Sequence, residues 1–145
     1  MELHDIAVED AHPLRRSVLR GGRPDAEVTY TEDADPDTFH LGGLVDGRVV
    51  AVATVAPAPT PLRPGARAWR LRGMAVDPEL QGCGMGRRIM DEIFTRVRSR
   101  DGQVLWADGR DTALGFYSRV GMEVVGDGFV PPGSTLPHHV VIIDL

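Results

Sequence analysis

The sequence predicts an α/β domain built on a mixed β-sheet. Three observations lead there. Segments of strand character and segments of helical period follow one another in the order β-α-β-β-β-α-β-α-β-β. A hairpin is written around Asp46-Gly47. An apolar strand at Met74-Ala75-Val76 runs into a glycine-rich loop and then into a helix. Size and composition agree with this: 145 residues, 42% hydrophobic and 26% charged, make one domain over residues 1–145 with enough apolar material for a core.

Each element has its own local reason. Ile6 to Val8 reads as a first strand. His12 to Gly21 reads as a first helix: Pro13 suits a first turn, Leu14, Val18 and Leu19 supply an apolar face, and Gly21 stops it. Gly22 to Asp37, rich in Asp, Glu, Pro and Gly, is expected as a mobile loop. Phe39 to Val45 and Arg48 to Ala56 flank an Asp-Gly pair, the sequence of a type I′ hairpin turn. Pro57 to Pro64 holds four prolines and must be a loop. Trp69 to Val76 is the next strand. Gly86 to Arg100 is a helix with Ile89, Met90, Ile93 and Val97 on one face. Gln103 to Ala107 is a short strand. Asp111 or Thr112 is expected to cap a further helix carrying Ala113, Phe116, Tyr117 and Val120 at i, i+3, i+4 and i+7, with Gly121 ending it. Glu123 to Val125 and Val140 to Leu145 are the last strands.

Several function classes are disfavoured. The apolar runs fall well short of the ~18 residues a membrane span needs. The polar, acidic start Met1-Glu2-Leu3-His4-Asp5 lacks the basic and apolar regions of a signal peptide. The lone cysteine, Cys83, has no internal disulfide partner, which suits a reducing cytoplasm. A net charge of −5 argues against a nucleic-acid partner. All sixteen basic residues are arginine, so no lysine side chain is available for acylation. The histidines show no His-x-x-x-His spacing, and no metal is expected.

The chemistry is concentrated at Met74–Arg88. Gly82, Gly84 and Gly86 let the backbone curl tightly and leave its N–H groups uncovered. The helix that follows adds unpaired N–H groups and a partial positive charge. Together these suit a diphosphate. Two common nucleotide motifs do not fit: no Lys-Ser/Thr follows the loop, and the G-x-G-x-x-G spacing fails.

What does fit is Gln81-x-x-Gly84-x-Gly86. It resembles the pyrophosphate loop of the GNAT acyltransferase superfamily, and Met74-Ala75-Val76-Asp77-Pro78 is similar to that family's central strand and turn. A second segment, Ala113-Leu114-Gly115-Phe116-Tyr117-Ser118-Arg119-Val120-Gly121-Met122, resembles the family's A-x-x-F-Y-x-x-x-G-F helix, with Met122 in place of Phe. Pro137-His138 near the last strand is similar, more weakly, to ElaA-like members. The resemblance covers residues 40 to 145 well and the N-terminal part loosely.

The resemblance implies a mostly antiparallel sheet whose central strands, around Met74 and Val104, run parallel and splay apart. It implies acetyl-CoA as acyl donor and an amine as acceptor, with direct transfer between them. The donor's diphosphate would sit on Gln81, Gly82, Cys83, Gly84, Met85, Gly86 and Arg87, mostly through backbone N–H groups. Cys83 then reads as a small buried filler whose side chain points away. Met74, Ala75 and Val76 would pair with the pantetheine arm, a backbone N–H (Met74, with Val76 next) pointing at the thioester carbonyl. Tyr117 would be the general acid for the departing sulfur. The family's usual base is a Glu on the central strand, where this chain has Arg70, Leu71 and Arg72. His138 and Asp108 are the candidates that remain, beside a water relay. Arg110 replaces a common Asn, which puts one pantetheine contact in doubt. The acceptor is left open, as is a homodimer. A non-catalytic acyl-CoA-binding module and a protein or tRNA acetyltransferase are the alternatives.

Overall fold

The structure, a computed structural model, describes Met1–Leu145. Two compact units make up the chain. The first comprises Met1–Pro57 and Leu71–Ile93, the second Ala58–Arg70 and Phe94–Leu145. The strands are β1 (Glu2–Asp5), β2 (Phe39–Val45), β3 (Arg48–Pro57), β4 (Ala68–Val76), β5 (Val104–Arg110), β6 (Glu123–Phe129) and β7 (His138–Asp144). The helices are α1 (Val8–Leu14), α2 (Met85–Ser99) and α3 (Leu114–Arg119). No helix is long and apolar enough to cross a membrane.

The strand order is β1-β2-β3-β4-β5-β7-β6. β1–β2, β2–β3, β5–β7 and β6–β7 are antiparallel, and β4–β5 is the parallel pair. This is the mixed, mostly antiparallel sheet expected. The parallel ladder joins Ala68, Trp69 and Arg70 to Val104, Leu105 and Trp106, and stops before Leu71.

Local chemistry explains the elements that match. Asp46 and Gly47 have φ of 50° and 77°, the two left-handed residues a type I′ turn requires. Ile89, Met90, Ile93 and Val97 are fully buried along α2, as their period demands. Gly121, at φ 99°, follows the end of α3. In the first unit Ala11, Val52 and Ala75 form a core cluster with Ile6, Leu14, Val18, Leu19 and Val49 packed on it. In the second, Ala68, Val104 and Ile142 play that part, with Ala66, Trp106 and Val125.

Four expectations are corrected. The first strand is Glu2–Asp5, not Ile6 to Val8. It is an edge strand held by backbone pairing to β2, from Glu2↔Leu44 to Asp5↔Leu41, so it needs little apolar signal. The first helix begins at Val8 rather than His12, which puts Pro13 inside it. Proline has no N–H to give Glu9's carbonyl, and the helix widens at once into a π turn over Arg15–Leu19. Neither Asp111 nor Thr112 caps the helix: the Asp111 carboxylate engages His139 Nδ1 at 2.7 Å, and a 3₁₀ turn over Asp111–Ala113 puts Ala113 at the cap position of α3. Gly22 to Asp37 is not an untethered loop. It contains the 3₁₀ turn Thr31–Ala34, and Asp33 and Glu32 are held by Arg15 and Arg72. Acidic residues of the segment expected to be mobile have arginine partners remote in sequence.

Candidate active site

In the first unit, β4 and the glycine loop are built from backbone. Ala75 is buried in the core cluster, while Met74 and Val76 are half-buried. Asp77 secures the turn: its N–H donates to the Val50 carbonyl (2.8 Å) and its carboxylate accepts from Glu79 N–H (3.0 Å) and Arg48 (3.1 Å). Gln81 donates from its amide to the Val76 carbonyl at 3.1 Å, tying the loop back to the strand. Gly82 and Gly84 both have φ of 80°, which only glycine adopts cheaply, and nothing lies within 4 Å of where either Cβ would be. Arg88 N–H donates to the Gly84 carbonyl at 3.2 Å, so the N–H groups of Met85, Gly86 and Arg87 precede the ladder of α2. The loop is therefore open, left-handed at two glycines and followed by helix N–H groups, as a diphosphate requires. Cys83 is exposed, correcting the expectation of a buried filler. A loop made of glycines offers it no wall to pack on.

The second unit holds the three side chains singled out for catalysis. Tyr117 is buried on α3, its ring against Gly109, where a Cβ would stand 3.0 Å from the ring. Phe116 meets it edge-on at 5.4 Å. Burial pushes the phenol up to about 12, with Arg110 opposing weakly, so it stays protonated at working pH. No group of the chain hydrogen-bonds its hydroxyl. Asp108 is paired with Arg70 at 3.0 Å, and that guanidinium also lies 4.9 Å from the Trp106 ring centroid. His138 is buried, with its Nδ1 2.8 Å from the Leu136 carbonyl. A carbonyl only accepts, so Nδ1 carries the hydrogen and Nε2 of the neutral ring keeps a lone pair.

Register decides which of these come together. Asp108 pairs with Val140 and Arg110 with His138. Alternate strand residues share a face, so Asp108, Arg110 and His138 lie on one face of β5–β7. Gly109, and with it Tyr117, lies on the other. On the His138 face an apolar pocket of about 300 Å³ is lined by Trp106, Val125, Phe129 and Val140, with Thr60 and Leu62 at its edge. Phe129 adjoins His138, ring centroids 6.2 Å apart.

Sequence reasoning missed a cluster in the first unit. Arg15, Tyr30, Glu32, Asp33, His40, Thr54 and Arg72 form one polar network against Gly73 on β4. The only local signal was the unusual density of acidic residues before β2.

Residues 3–122 match the family model described as the acetyltransferase (GNAT) family. The chain is 30% identical over 142 residues to the uncharacterized N-acetyltransferase YitI of Bacillus subtilis (strain 168), covering 98% of this chain and 94% of that protein. An aminoglycoside 6'-N-acetyltransferase solved in complex with coenzyme A superposes with a TM-score of 0.76 at 13% identity, covering 99% of this chain and 97% of that one. Escherichia coli ElaA superposes with a TM-score of 0.75 at 18% identity, covering 97% of each chain.

Proposed function

The chain belongs to the GNAT acetyltransferase family, and from that premise we propose that Tyr117 is its general acid and His138 its general base in acetyl transfer from acetyl-CoA to a primary amine of a small molecule or peptide. Acetyl-CoA-dependent acyl transfer is the family's chemistry; the roles of residues are this reading's own. The observation that carries it is Tyr117 itself: a buried phenol that stays protonated at working pH, on the segment that resembles the family's A-x-x-F-Y-x-x-x-G-F helix. In direct transfer the amine and the departing sulfur occupy different sides of the tetrahedral carbon. A base for the amine and an acid for the sulfur serve both without a covalent enzyme intermediate.

The steps balance as follows. The amine nitrogen attacks the thioester carbonyl carbon, and its surplus proton passes through water to His138 Nε2, since His138 and Tyr117 lie on opposite faces of the strand pair. The C–S bond breaks, sulfur takes the Tyr117 proton, and the phenolate is reprotonated through solvent as the His138 imidazolium gives its proton up. The Met74 N–H stabilises the oxyanion between the two events. Loop N–H groups from Gly82 to Arg87 hold the diphosphate. Asp108, already committed to Arg70, shapes the electrostatics on the His138 face rather than accepting the proton. We take both units as one catalytic domain, since the family match runs through each. A cytoplasmic location fits a user of acetyl-CoA with an exposed lone thiol.

Tyr117→Phe tests the reading. It keeps the buried ring and removes one hydroxyl. Turnover, measured as thiol release with an active amine, is expected to fall roughly 10²- to 10⁴-fold while acetyl-CoA affinity holds. Near wild-type kcat would remove Tyr117 from the chemistry. A wild type that binds acetyl-CoA but turns over no amine would instead be a binding module.

A further inference from the structure

One cluster in the first unit has no part in the steps above. Arg15 is 1% exposed, and its Nε has no hydrogen-bond partner. Its Nη1 donates to the Val28 carbonyl and Asp33 Oδ2, both at 2.8 Å, and its Nη2 to Asp33 Oδ1 (3.0 Å) and Thr54 Oγ1 (2.7 Å). Arg72 holds Glu32 at 3.0 Å. Both guanidiniums lie 4.1 Å from the centroid of the Tyr30 ring, a distance at which each cation is attracted to the ring's electron-rich face. The Tyr30 N–H adds a 2.8 Å bond to Asp33. The ring is thus fixed by two cations, each partnered by its own carboxylate, and by its own backbone.

What the ring is fixed against is Gly73. This residue lies inside β4 with φ of 61°, a left-handed turn that interrupts an otherwise extended strand. A Cβ there would lie 2.7 Å from Tyr30 Cε2, 2.9 Å from its hydroxyl and 3.2 Å from Arg15 Nε. Nothing larger than glycine fits, and Tyr30 fills the space a side chain would take. The next peptide is Gly73–Met74, whose N–H is the donor assigned to the thioester oxygen.

We infer that Tyr30 is a positioning residue: held by Arg15 and Arg72, its ring keeps Gly73 left-handed and so fixes the direction of the Met74 N–H. The inference rests on the reading of Met74 as oxyanion donor. A donor aimed before the reaction begins needs no reorganisation at the moment charge develops. One that wanders by about 1 Å loses much of its effect.

The test compares Tyr30→Ala, Tyr30→Phe, Arg72→Met and Tyr117→Phe, each assayed below its own melting temperature. Tyr30→Ala is expected to lower kcat roughly 10- to 100-fold, while the dissociation constant of acetyl-CoA, by calorimetry, changes less than about threefold. Tyr30→Phe keeps the ring and should restore most of kcat. Arg72→Met removes one cation and should give a smaller kcat loss in the same direction; it carries the test if Tyr30→Ala does not fold. Wild-type kcat in Tyr30→Ala with a lowered Tm overturns the inference, because the ring then only stabilises the fold. Equal kcat losses in the Ala and Phe variants also overturn it, because the hydroxyl would be doing chemistry. So does a loss confined to the KM of the amine. Intact Tyr30→Ala with crippled Tyr117→Phe sinks the positioning role alone; the reverse result keeps it and discards Tyr117 as the acid.

Discussion

His40 shows how one side chain can carry a pH response. Thr54 Oγ1 accepts from Arg15 at 2.7 Å and lies 2.8 Å from His40 Nδ1. Arginine can only donate, so the threonine hydrogen is available to the neutral His40 ring. Burial pushes the His40 pKa down, and the Asp33 charge only partly offsets this. A histidine with a depressed folded pKa contributes stability above its unfolded value of about 6.5 and loses it as pH falls from there through the lower folded value. Asp33 behaves alike at lower pH. Burial alone would raise its pKa, but the bonds from Arg15 and the Tyr30 N–H outweigh burial and hold it below the usual carboxylate value. We therefore expect Tm to fall as pH drops from about 7 to 5, and to fall less in His40→Gln. Identical slopes in calorimetric scans would assign the response elsewhere. None of this was legible in the sequence. Arg15 reaches Asp33 across 18 residues and Thr54 across 39, and Arg72 reaches Glu32 across 40. Tyr117 could be singled out as a candidate because its motif is contiguous.

At the level of elements, what could be read was what neighbouring residues decide. The Asp46-Gly47 turn, the apolar face of α2 and the stop at Gly121 each depend on a few adjacent positions. The edge strand β1 could not be read, because its partner lies some forty residues on and its burial is slight. Asp111 was misread as a cap because His139, which takes its carboxylate, is 28 residues away. The glycine loop is the element whose sequence and structure agree best, and it gives a clean prediction. Gly84→Glu places a charge and a Cβ on a residue at φ 80°. The backbone penalty, about 1–3 kcal/mol, falls on an exposed loop with nothing within 4 Å, so the protein should still fold. Coenzyme A affinity by calorimetry should collapse, since the new carboxylate repels the diphosphate. Retained affinity would put the diphosphate away from Gly84.

For the whole molecule, ligand and fold are linked by mass action. Acetyl-CoA at a hundredfold excess over its dissociation constant should stabilise the protein by about 2.7 kcal/mol, seen as a rise in Tm. No rise at millimolar concentration would contradict binding to the native state. The chain also offers no ε-amine of its own for acetylation, since its sixteen basic residues are all arginine. The α/β class was legible from the alternation of element types. The lateral order of strands was not, because nothing local says that β7 enters between β5 and β6. That insertion has a consequence in time. The ribosome makes β5 and β6 first, yet each pairs with β7: Val104 with Asp144, Glu123 with Ile142. Until those late residues emerge, both earlier strands carry unpaired edges that the finished protein never shows. The second unit is thus completed by a strand translated after both of its neighbours, and a nascent chain halted before His138 holds two strands with the space between them unfilled.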